Sequence, residues 1–146
     1  MTTAPQCVSN LQLACLPSAV AWARRHTRSV LTTWAIGQTT TDIAELLVSE
    51  LVTNAVRATG YDDTTTVLTY TQRAQVERCS LTLQRGNGRL LIEVADSSRQ
   101  PPVRRDAPED EEHGRGLTLV ERLSLRWSYY YPGPVGKVVW CEVALI

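Results

Sequence analysis

The sequence carries no excess charge, since 15 lysines and arginines balance 15 aspartates and glutamates. It therefore lacks the basic footprint that nucleic acid or an anionic membrane surface selects. No apolar run approaches the length of a bilayer span. Residues 1–10 lack the basic-then-apolar pattern of a secretion signal. These absences predict a cytoplasmic protein with no direct nucleic-acid partner and no membrane partner. The four cysteines, Cys7, Cys15, Cys79 and Cys141, form no C-x-x-C pair, and the only histidines are His26 and His113. The ligand spacing of a zinc site is missing, and the cysteines read as reduced, mostly packed thiols. Lysine is almost absent, with Lys137 the only one. No G-x-x-x-x-G-K-[ST] phosphate loop occurs, and the glycines near residue 115 follow a long loop rather than a strand, unlike a dinucleotide fingerprint.

With 43% hydrophobic and 21% charged residues over 146 positions, the chain reads as one globular domain with a sizeable core. No repeat or linker divides it. The expected domain covers residues 11–146, after a tail at 1–10. Residues 11–16 alternate as a short strand. Val20, Ala23, Thr27, Val30, Leu31 and Trp34 recur at helical spacing, and Gly37 is the expected stop. Asp42 and Glu45 resemble a capping box opening a second helix over 43–58. Residues 61–75 read as a loop with a weak strand near 67–70. Gly86-Asn87-Gly88 joins strands at 78–85 and 89–95. Residues 97–115 form a long loop with an acidic run, followed by a helix at 117–123. Strands at 126–131 and 137–145 form a second hairpin. The fold class is α+β: a two-layer sandwich of a mostly antiparallel sheet with helices on one face. Trp22, Trp34, Trp127 and Trp140 are expected mostly in the core.

Three polar features stand out. Glu50 and Asn54 are one turn apart on the second helix, off the polar stripe of Glu45, Ser49 and Thr53 and on the side of Ile43, Leu46 and Leu47. Either Glu50 is a half-exposed edge residue with Asn54 hydrogen-bonded in the core, or this face lines a polar pocket. In a pocket, Glu50 suits a general base and Asn54 an oxygen ligand for a hard cation such as Mg²⁺. Asp96 ends the strand Leu90–Ala95, where a carboxylate either receives a ligand's amine or caps loop N–H groups. Gly114-Arg115-Gly116 precedes a helix whose N-terminus offers free N–H groups for phosphate, with Arg115 as added charge. The same glycines also suit a plain turn.

The order of these features carries a resemblance. Glu50-x-x-x-Asn54-Ala55-x-Arg57 resembles the N box of the GHKL ATPases (gyrase, heat-shock chaperone, histidine kinase, MutL). Asp96 after its strand resembles the first glycine box, and Gly114-Arg115-Gly116-Leu117 the second. Gly136-Lys137-Val138-Val139-Trp140 resembles the closing motif, with Val138 where a threonine hydroxyl usually supports the adenine contact. Within that superfamily the chain resembles the small anti-sigma factor and serine-protein kinase group, and most of all its short actinobacterial members.

The resemblance implies a Bergerat fold binding ATP and Mg²⁺. Glu50 would orient or deprotonate the attacking hydroxyl, and Asn54 would ligate Mg²⁺. Arg57 would belong to the nucleotide site, and Asp96 would bind the adenine amine. Gly114, Arg115, Gly116 and Leu117 would hold phosphate, with residues 97–115 as the lid. It further implies phosphorylation of an anti-anti-sigma partner, sequestration of an RNA polymerase sigma factor, and a homodimer through the first helix and the sheet edge. The alternative is a protein-binding switch without kinase turnover.

Overall fold

A computed structural model describes residues 7–59, 77–102 and 116–146. In chain order the elements are β1 (Cys7–Ala14), α1 (Ser18–Thr33), α2 (Gln38–Ala58), β2 (Arg78–Arg85), β3 (Arg89–Asp96), α3 (Gly116–Leu123), β4 (Arg126–Tyr130) and β5 (Lys137–Ala144). The five strands form one sheet in the order β1-β2-β3-β5-β4, and every neighbouring pair is antiparallel. α2 packs on β2, β3 and β5. α1 lies against α2 and β1, and α3 lies against α2 and β4. The architecture is the two-layer α+β sandwich expected from the sequence.

Strand alternation decides which face is apolar. Leu81 and Leu83, then Leu90, Ile92 and Val94, then Val139, Cys141 and Val143 form three buried rows under the helices. α2 answers with Leu47, Val48, Leu51, Val52, Ala55 and Val56, all buried. Each of the leucine, isoleucine and valine side chains contributes roughly 1.5–3 kcal/mol on full burial. The opposite sheet face is polar. There Glu142 takes hydrogen bonds from Arg89 at 3.0 Å and from Arg126 at 3.0 and 2.9 Å.

The first two helices differ from the sequence expectation at their shared boundary. α1 ends at Thr33 rather than near Ile36, because Ala35 turns into the left-handed region (φ 58°). Gly37 is not a helix stop; it is the N-cap of α2. α2 starts at Gln38, five residues before the expected position. Asp42 and Glu45 do not cap it but pair with Arg28 of α1. The extra turn holds because Thr40 and Thr41 are buried and the Thr41 hydroxyl donates to the Gly37 carbonyl.

The β2–β3 hairpin turns where expected, with Gly88 at φ 71°. The tryptophans depart from expectation: none is fully buried, and Trp22 is 61% exposed with the Arg25 guanidinium over its ring. Trp34 and Trp127 pack against the core from its margin. The expected weak strand near 67–70 lies outside the described residues. Among the described residues, no helix is long and apolar enough to cross a membrane.

Candidate functional site

α2 carries Glu50 and Asn54 on the flank of its buried stripe, both half-buried. The side is polar because Glu50, Asn54 and Arg57 share it, while Leu46 next to them is exposed and Ile43 packs against the core. The Asn54 backbone is fixed by α2, but its side-chain Nδ2 is buried and has no hydrogen-bond partner among the described residues. A buried amide donor without an acceptor is costly and calls for an arriving acceptor, such as a phosphate oxygen or a water on a bound ion.

Asp96 continues the core row of β3 by strand alternation, so its carboxylate lies on the helix-facing side at the end of the strand. It is buried, and its charge is met in three ways. Ser98 N–H donates to Oδ1 at 2.8 Å, which is the turn-capping role. Lys137 Nζ donates to Oδ1 and Oδ2 at 2.9 Å each. Lys137 stands directly across the β3–β5 ladder from Asp96, and only 4% of its side chain is exposed. The sole lysine of the chain is therefore spent inside the domain, as the counter-ion of the residue expected to read adenine.

The closing motif thus takes a different form from the sequence expectation. Lys137 shares its face with Val139, Cys141 and Val143, whereas Val138 alternates to the face of Trp140 and Glu142. The missing hydroxyl at Val138 therefore lies on the far side of the sheet from Asp96. Lys137 was not among the expected site residues. Its only sequence signals are its uniqueness and its place after Gly136 in the motif. Gly136 is required there: it has φ 78°, and a Cβ would run into the Asp96 backbone carbonyl.

One hydrogen bond ties the N-box turn to the residue that follows β1. The Cys15 thiol donates to the carbonyl of Ala55, next to Asn54, at 3.4 Å, and the Asp96 charge acts on the same thiol. A hydrogen bond with Cys79 lowers the Cys15 pKa and raises that of Cys79; burial pushes Cys141 up to about 12. All four cysteines are thiols, as expected, and three of them are buried.

The phosphate-side motif is described only in part. Gly116 opens α3, which packs on α2, and Leu117 is buried. Gly114 and Arg115 lie outside the described residues, as does most of the expected lid. The part described, residues 97–102, is held by Arg99. That residue donates to the Gly133 carbonyl at 2.6 Å and covers the Tyr131 ring at 4.3 Å. A separate cavity of about 570 Å³ lies between β1 and α1, lined in part by Leu11, Trp22, Arg25 and His26; it contains none of the motif residues.

Glu50 and Asn54 lie on α2, which packs both on β3, the strand that Asp96 ends, and on α3, which Gly116 opens. A family model for the histidine kinase-like ATPase domain matches residues 13–142. The chain belongs to this family. A search among curated proteins finds no match. A histidine kinase-like ATPase domain of the GHKL type implies ATP binding, usually with Mg²⁺. The residues present fit that group. Among the described residues no cluster of three His, Cys, Asp or Glu side chains could cage a metal. Mg²⁺ needs no such cage when phosphates and waters supply most of its ligands. On Asn54 the buried Nδ2, unpartnered among the described residues, can donate to a phosphate oxygen or to an ion-bound water, and the side-chain oxygen is the atom that could meet the ion itself.

Proposed function

We propose that this histidine kinase-like ATPase domain binds ATP with Mg²⁺ and acts as an anti-sigma regulatory factor with serine-protein kinase activity. The observation that carries the nucleotide reading is the buried Asn54 Nδ2, a donor with no acceptor among the described residues, on the helix that also carries Glu50. Asn54 would hold Mg²⁺ through its side-chain oxygen, and the ion would neutralise charge on the phosphates. Glu50, one turn away, would accept the proton of an attacking serine hydroxyl. The serine oxygen forms a bond to the γ-phosphorus, the bond to the bridging oxygen of ADP breaks, and the proton rests on the Glu50 carboxylate. Positioning and charge neutralisation provide most of the catalysis in such transfers.

The anti-sigma assignment draws on the order of the motifs, which resembles the small anti-sigma kinases. On this reading the phosphate acceptor is an anti-anti-sigma protein, and the sequestered partner is an RNA polymerase sigma factor. The domain acts as a cytoplasmic homodimer. The exposed Trp22 and the place of β1 at the edge of the sheet among the described residues support α1 and β1 as the dimer surface.

The test is titration of a fluorescent adenine nucleotide with Mg²⁺ into wild type and Asp96→Asn, followed by γ-phosphate transfer by wild type and Glu50→Ala. Weaker binding by Asp96→Asn, and transfer lost in Glu50→Ala with binding retained, support the kinase. Partner binding without transfer supports a second reading, a protein-binding switch without turnover. One observation favours that reading: Asp96 is already engaged by Lys137.

A further inference from the structure

We propose that Lys137 reads the purine base together with Asp96: Asp96 Oδ2 accepts the exocyclic amine of adenine, and the ammonium of Lys137 donates to adenine N1. The inference rests on the ATP reading above and adds a specificity-determining residue to it.

The argument is a count of hydrogen-bonding positions. A carboxylate offers about four lone-pair sites. Three are filled: two on Oδ1, by Ser98 N–H and Lys137 Nζ, and one on Oδ2, by Nζ. Among the described residues one acceptor position therefore remains, on Oδ2. An ammonium has three protons. Two point to Asp96, and among the described residues none of the other polar groups accepts the third. The ion pair thus presents an acceptor and a donor side by side. Adenine presents the complementary pair on its outer edge, with the amine N–H beside N1.

Placement supports the same conclusion. Asp96 and Lys137 face each other at the last rung of the β3–β5 ladder, on the side that α2 covers. Val138 points away, so Lys137 is the β5 side chain on that side at this end. Stability alone does not account for the pair. Taking both charges out of water costs about as much as their attraction returns, and two apolar side chains would serve the fold at least as well. A compact ammonium on a flexible stem also follows a base more readily than a fixed hydroxyl does.

The experiment is a competition titration on wild-type protein with Mg²⁺, using ATP, 1-deaza-ATP (which lacks the N1 acceptor) and GTP against a fluorescent adenine nucleotide. The expected result is 1-deaza-ATP binding about tenfold weaker than ATP, as for loss of one charged hydrogen bond. In Lys137→Met the two should bind alike. If that variant does not fold, the wild-type comparison decides by itself. Equal binding of ATP and 1-deaza-ATP by wild type would remove Lys137 from base recognition while leaving the ATP reading intact. Tighter binding of GTP than ATP would overturn the proposed orientation, because guanine meets the same pair with its O6 and N1–H reversed. No binding of any adenine nucleotide would sink the ATP reading and this inference with it.

Discussion

The space that a Gly136 side chain would need is occupied by the backbone carbonyl of Asp96. Asp96 ends β3 and Gly136 immediately precedes the neighbouring strand β5, so the chain enters the last rung with Gly136 in the left-handed region. Gly136→Ala is therefore expected to destabilise the domain by about 2–3 kcal/mol, through φ strain and displacement of the Asp96 carbonyl. Urea denaturation measures this. A loss below roughly 0.5 kcal/mol, the range of ordinary surface changes, would mean that the strand end adjusts freely.

The Asp96–Lys137 pair predicts non-additive stability. Lys137→Met leaves a carboxylate buried without its counter-ion and should cost about 3–5 kcal/mol. The double variant Asp96→Asn/Lys137→Met removes both charges and should recover most of that loss. A denaturant-derived double-mutant cycle reads the coupling directly. Additive losses would show that the two charges do not act on each other in the folded chain.

On the outer sheet face, hydrogen bonds from Arg126 and then Arg89 hold the Glu142 carboxyl below its ordinary pKa of 4.5. A depressed folded-state pKa favours the folded state when the group is ionised. The stabilisation is present above the unfolded value and is lost as pH falls through the folded value. Glu142→Gln should therefore be less stable than wild type at neutral pH, with the difference closing under acid conditions below 4.5. Both arginines are exposed, so the effect at neutral pH should be small and should shrink with salt. A difference that stays constant with pH would assign it to packing.

Much of the fold was legible because its signals are local. Gly86-Asn87-Gly88 specifies a hairpin through a single glycine at φ 71°, and β2 and β3 alternate cleanly. The start of α2 was not legible: a threonine run has weak helix propensity, and here burial and the bond from Thr41 to Gly37 override it. Glu50 and Asn54 stood out because helical spacing alone puts them off the polar stripe. The partner of Asp96 did not, because Lys137 lies 41 positions away and meets it only through the register of β3 on β5. The face of Val138 was hidden for the same reason, since a one-residue slip of that register would reverse it.

Asn54 offers the sharpest separation of fold from function. Its Nδ2 is buried without a partner among the described residues, so the folded state gains nothing from that donor. Replacing an unsatisfied polar group by an apolar one of similar shape is close to neutral or stabilising. Asn54→Leu is therefore expected to keep stability within about 1 kcal/mol of wild type, or to raise it. The same change removes the one α2 amide suited to Mg²⁺ and phosphate. Affinity for Mg²⁺–nucleotide should fall by at least about tenfold. Thermal unfolding without nucleotide gives the first quantity, and nucleotide titration with and without Mg²⁺ gives the second. A stable variant with lost binding identifies Asn54 as a residue held ready for ligand at the expense of the fold. A variant destabilised by about 2 kcal/mol or more would match the loss of a satisfied buried hydrogen bond and make the amide structural.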